Sequence, residues 1–95
     1  MTLFAVIGFF KPGVDTSPAR LQSNFNEHLG QSSPHIRLAG YLRDHEAKAI
    51  GFMGLVEADS FERAQAYLGQ SPYFEAGLYR EAHALEYAVE VGRLP

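Results

Sequence analysis

The chain has no cysteine. That excludes disulfides, thiolate metal ligands and cysteine nucleophiles, and it fits a reducing compartment. It also has no cluster of basic residues: 8 Lys and Arg and 11 Asp and Glu are interspersed, for a net charge of −3. Without a basic stripe to track phosphates, nucleic acid is not an expected partner. Long apolar runs are missing too. The most apolar stretch, Leu3 to Phe10, is far short of the ~20 residues of a membrane-spanning helix. It has neither a basic leader nor a small-residue cleavage site, so the expectation is a cytoplasmic protein that does not engage a membrane. No two histidines stand at H-x-x-x-H or H-x-H spacing, and neither a phosphate loop nor a G-x-S-x-G elbow occurs. No metal and no cofactor is expected.

What is present is enough for one domain spanning 1–95. Of its 95 residues 46% are hydrophobic and 20% charged, which is a folding composition. A chain of this length buries roughly 60–65% of its unfolded surface, so further burial in an oligomer would help it.

Leu3 to Phe10 is apolar on both faces and reads as a covered strand ending at Lys11-Pro12-Gly13. Ser17 and Pro18 offer an N-cap and a first helical residue. Leu21, Phe25 and Leu29 then recur on one face with His28 beside them, before Gly30 and Gln31-Ser32-Ser33-Pro34 end the helix. From His35 to Asp44 the pattern alternates: Ile36, Leu38, Gly40 and Leu42 on one face, His35, Arg37, Ala39, Tyr41 and Arg43 on the other. His45-Glu46-Ala47 turns the chain into a third strand with Ile50, Phe52 and Val56 on one face and Met53 and Leu55 on the other. Gly51 and Gly54 in it mark a bulge or a close approach of another backbone.

Asp59 with Glu62 reads as a capping box; Phe61, Ala64 and Leu68 form the buried stripe of a second helix, closed by Gly69. Ser71-Pro72 is another cap and first-turn pair, and Gly77 is placed to end a short helical turn, with Tyr73, Phe74 and Tyr79 packing the rim of the sheet. Ala82 to Val91 alternates as a last strand. The order β-α-β-β-α-β predicts an α+β, ferredoxin-like fold on a four-stranded antiparallel sheet. Two helices cover one face of such a sheet, whereas the first and third strands are apolar on both. A second copy packed face to face is therefore the expected partner.

For chemistry, His28 stands on the inner edge of the first helix, as a helix-edge residue without a chemical role or as a general base. Arg37, Tyr41 and Arg43 fall in one row at period-two spacing. That row serves to bind a small anionic or phenolic ligand, or as the charge that keeps an edge strand from aggregating.

The segment Ala58 to Tyr87, with Pro72, Tyr73, Ala76, Gly77, Leu78 and Tyr79 in order, resembles the YCII-related family. Leu38-Ala39-Gly40-Tyr41-Leu42 is similar to its Ala-Gly element, and the resemblance covers roughly residues 36–92. It implies a dimeric α+β barrel, and a His–Asp pair linked with catalysis on chlorinated or hydroxylated ring compounds in a few members. The family aspartate falls on Ser71 and the family histidine on the first helix, where His28 is the candidate. Counted without gaps, the histidine position falls nearer Ser23. Glu27, Asp44 or Glu75 are the carboxylates at hand to replace the aspartate.

The leading expectation is a cofactor-independent lyase or isomerase of a small cyclic or aromatic acid. In it His28 is the base, Ser71 its hydrogen-bonding orienter, Arg37 or Arg43 the anion clamp, and Tyr41 and Tyr73 line the pocket. The alternatives are a non-catalytic dimeric module that binds a small metabolite, and a cofactor-free monooxygenase of the related barrel type.

Overall fold

The computed structural model describes residues 2–31 and 34–94, so Ser32 and Ser33 of the expected helix stop lie outside the described residues. Its elements are strand β1 (Thr2–Phe10), helix α1 (Ala19–Leu29), strands β2 (His35–Arg43) and β3 (Ala49–Ala58), helix α2 (Phe61–Gly69), the single turn α3 (Pro72–Glu75) and strand β4 (Tyr79–Glu86). The strands pair antiparallel in the order β2-β3-β1-β4. This is the ferredoxin-like α+β arrangement expected from the order of elements.

Every second residue of β1, from Phe4 to Phe10, is buried, because successive strand side chains alternate faces and the helices lie on one of them. The core has two parts. Beneath α2, Phe4, Val6, Val56, Ala58 and Ala84 pack with Ala64 and Tyr67. Beneath α1 and α3, Phe10, Phe25, Phe52 and Tyr73 form an aromatic cluster. On the other face of the sheet Leu38 and Leu85 are more than half exposed.

The helix caps differ from the sequence reading by one residue each. The hydroxyl of Ser17 bonds Asp15 Oδ1 at 2.6 Å and its amide the same oxygen at 2.9 Å. That local turn uses the side chain up, and α1 begins after Pro18 without a side-chain cap. In α2 the cap is Ser60, whose Oγ accepts the Arg63 amide at 3.2 Å, in place of Asp59. The buried face of α2 is Ala64 and Tyr67, while Phe61 is exposed. Gly77 does close α3: it has φ +72°, and the Leu78 and Gly77 amides return to the Tyr73 and Phe74 carbonyls at 3.0 Å each. That is a Schellman ending, which glycine alone adopts without steric cost.

The larger correction is in β2. Ile36 pairs with Val56 and Leu38 with Leu55, so two steps on β2 match one on β3 and Arg37 is an extra, bulged residue. The bulge exchanges faces. Ile36 packs into the helix-side core and so does Tyr41, against Phe52, although they are an odd number of residues apart. The expected row of Arg37, Tyr41 and Arg43 is therefore not formed. β4 also ends early, at Glu86 instead of Val91. Its one neighbour is β1, where Phe4 already pairs with Glu86, and the Tyr87 amide takes the Leu3 carbonyl.

Gly51 is the close approach anticipated from its position inside a strand. A Cβ there would meet the backbone oxygen of Gly8 and come within 3.3 Å of Phe9 Cα. Gly51→Ala is expected to destabilise by about 1–3 kcal/mol, at the upper end because a central strand cannot step aside. Urea denaturation checks this, and an unchanged midpoint would refute it.

Candidate functional site

Helix α1 presents His28 in its last turn, 5% exposed. The imidazole stacks on the Tyr67 ring of α2 with centroids 4.1 Å apart and planes 20° from parallel. The Tyr67 hydroxyl donates to the His28 carbonyl at 3.2 Å. Two helices thus fix the histidine through one tyrosine, which also joins the two halves of the core. Burial disfavours the imidazolium and moves the His28 pKa below its ordinary value of 6.5; the nearby Glu75 charge and the Tyr67 hydrogen bond oppose this without reversing it. At neutral pH His28 is an uncharged base.

Ser71 joins α2 to α3 and is 3% exposed. Its carbonyl accepts the Glu75 amide at 2.9 Å, so it occupies the cap position through its backbone. The hydroxyl does not cap the helix. Among the described residues Ser71 Oγ is the buried side-chain polar atom without a partner of hydrogen-bonding geometry. The Tyr79 phenol is near enough for the serine to offset part of the effect of burial, which pushes that phenol up to about 12.

His28 and Ser71 do not bond each other, yet both line one cavity with Tyr67, Tyr79, Phe25 and Phe52. Its volume is about 20 Å³, room for one water-sized group and no more. Among the described residues no carboxylate bonds the imidazole. Asp44 is engaged elsewhere, accepting the Glu46 and Lys48 amides at 2.9 and 3.0 Å to close the turn between β2 and β3. Of the three carboxylates weighed from the sequence, Glu75 is the one whose charge is felt at His28.

Tyr73 is fully buried. Its ring stacks on Phe25 at 4.0 Å and meets Phe10 edge-on at 5.6 Å. Its hydroxyl shares a 2.8 Å hydrogen bond with that of Tyr41. Burial, with help from that bond, drives the Tyr73 pKa far above the usual range, and burial lifts Tyr67 to about 12. These phenols keep their protons at any physiological pH.

The arginines do not join this site. Arg37 bonds Glu57 Oε1 at 2.8 Å and holds that carboxyl below the usual range; it borders a groove with Leu38 and Leu55 on the helix-free face. Arg43 is exposed at the end of β2. The structure places His28, Ser71, Tyr41 and Tyr73 on the helix side of the sheet; sequence reasoning did not name Tyr67, and it gave Tyr79 to the rim of the sheet and not to the site. Tyr67 had a signal, since it stands one helical turn from Ala64 on the face that is buried. Among the described residues no three His, Asp or Glu gather closely enough to hold a metal ion.

No family model and no curated protein sequence matches the chain. Solved structures do. A 5-chloro-2-hydroxyhydroquinone dehydrochlorinase from Burkholderia phenoliruptrix AC1100, in complex with 2,5-dihydroxybenzoquinone, superposes with a TM-score of 0.76 at 16% identity over 90% of this chain and 93% of that one. A protein of Arabidopsis thaliana, At3g17210, superposes with a TM-score of 0.50 at 14% identity over 99% of this chain and 100% of that one. At these identities the likeness is one of fold.

Proposed function

We propose that the chain is a single-domain, homodimeric, cytoplasmic protein of the YCII-related type. Its reaction is a cofactor-independent lyase or isomerase step on a small hydroxylated cyclic or aromatic compound. The observation that carries this reading is the cavity shared by His28, a base kept neutral by burial, and the unpartnered hydroxyl of Ser71. A neutral imidazole removes a proton from a ring hydroxyl or an adjacent carbon, and a serine hydroxyl donates to the oxygen on which charge develops. The fold shared with a dehydrochlorinase of a hydroxylated ring adds support.

Geometry narrows the substrate. Among the described residues the cavity lining holds no Lys or Arg, so a carboxylate there would lose its hydration without a counter-charge. A neutral hydroxyl suits it. Tyr41, partly exposed and bonded to the buried Tyr73, stands against Phe52, a wall of the cavity.

The small cavity and the missing carboxylate favour a second reading, a non-catalytic dimeric binder of a small metabolite. Calorimetry and turnover assays with 5-chloro-2-hydroxyhydroquinone, hydroxyhydroquinone and cyclic acids separate the two. Turnover of a hydroxylated ring that is lost in His28→Gln supports the enzyme. Binding without turnover leaves the module, and preference for the acids defeats the substrate class.

The homodimer is proposed to form through the helix-free face, where Leu38 and Leu85 are 57% and 56% exposed, since exposed apolar patches on a small domain mark interfaces. Leu85→Arg is expected to shift the sedimenting species from a dimer to the 10.5 kDa chain. A wild type that sediments as a monomer at micromolar concentration would end this part of the proposal.

A further inference from the structure

One side chain on the helix side of β2 makes the contacts that a bound ligand would make. Tyr41 is 43% exposed, yet its hydroxyl reaches inward to the fully buried Tyr73 hydroxyl at 2.8 Å. Its ring meets Phe52 edge-on, with centroids 5.3 Å apart and planes at 84°. An aromatic edge contact on one side and a directed hydroxyl at the far end are what a pocket for a free phenol needs. Phe52 is at the same time a wall of the cavity that holds His28 and Ser71.

β2 is an edge strand, and its pairing with β3 is irregular on both sides of Tyr41, between Ile36 and Leu38 and between Leu42 and Arg43. The preceding residue is Gly40, around whose Cα no atom lies within 4 Å of where a Cβ would stand. Edge strands interrupted by bulges open at lower cost than central ones.

We propose that Tyr41 is a movable plug occupying a binding site for a phenolic ring, which a ligand enters by displacing the Tyr41 ring and taking its hydrogen bond to Tyr73. The two spaces share Phe52: the cavity of about 20 Å³ admits one small group, whereas the space vacated by Tyr41 admits a whole ring. The role in turnover rests on the enzymatic reading above; the binding site itself does not.

Alanine at position 41 removes one phenol's worth of atoms, so phenol is the probe. In Tyr41→Ala, phenol is expected to bind at least tenfold more tightly than to the wild type, shifting the NMR signals of Phe52 and Tyr73. Adding Tyr73→Phe is expected to lower the ratio of phenol to toluene affinity at least fivefold, since toluene never used that hydroxyl. A folded Tyr41→Ala that binds phenol no better than the wild type overturns the proposal, as does a phenol-to-toluene ratio indifferent to Tyr73. Should Tyr41→Ala not fold unaided, the reading is whether saturating phenol restores its thermal transition; failure to restore it counts against the plug. Phenol capture by the variant, with no turnover of any hydroxylated ring by the wild type, would sustain the plug and defeat the enzymatic reading.

Discussion

Tyr73→Ala is expected to lower the stability of the fold by about 3–5 kcal/mol, the range for deleting a large aromatic side chain from a closed core. The whole domain has on the order of 5–15 kcal/mol to lose, so the variant should be largely unfolded in mild urea. The reason lies in how many partners one ring has. Phe25 stacks on it at 4.0 Å, Phe10 and Tyr79 meet it edge-on at 5.6 and 6.2 Å, and Tyr41 bonds its hydroxyl. Tyr73→Phe keeps every ring contact and loses only the hydrogen bond, for an expected cost of about 1 kcal/mol. Equal urea midpoints for the two variants would show that packing around Tyr73 is not what holds the aromatic cluster together.

His28→Gln is expected to reduce turnover by about 10²–10⁴-fold, the usual contribution of a positioned general base, once a substrate is in hand. It should also change how stability depends on pH, which needs no substrate. Burial sets the folded pKa of His28 below the 6.5 of an unfolded histidine. Above about 6.5 neither state carries the proton and the stabilisation is complete. As pH falls below that value the unfolded chain takes up a proton that the folded chain refuses, so stability declines until the folded pKa is passed and then levels off. Glutamine does not titrate. The difference between wild-type and His28→Gln unfolding free energies should therefore shrink as pH drops from 7 towards 5. A difference that is constant with pH would mean that His28 is not held neutral by its surroundings.

The architecture was legible because most of its signals are local. The continuous apolar run of β1, the stripe of α1 and the Gly77 stop all follow from the nearest residues and from helix period. The caps slipped by one position because Ser17 had a nearer partner in Asp15 and Ser60 competed with Asp59. What the sequence hid is non-local. The face of Tyr41 depends on pairing with a strand that follows it, so alternation counted along His35 to Asp44 put Tyr41 with Arg37. The end of β4 likewise depends on how far β1 extends, not on the alternation that continues to Val91. For the site, His28 and Ser71 line one cavity. Their link through Tyr67 and Tyr79 was not foreseen, because ring stacking between two helices leaves no spacing to read.

The bulge at Arg37 also bears on how such a chain can change over generations. A substitution alters one side chain; gaining or losing a single residue inside a regular strand reassigns all those on one side of the event at once, unless the extra residue is looped out as a bulge. Deleting Arg37 would leave Ile36 opposite Val56 and Leu38 opposite Leu55 as consecutive pairs, so the strand would lose its bulge while Tyr41 stayed opposite Phe52. Aligned sequences that differ by a one-residue gap at this bulge would therefore keep the same residues against the aromatic cluster, whereas a gap elsewhere in the strand would exchange them.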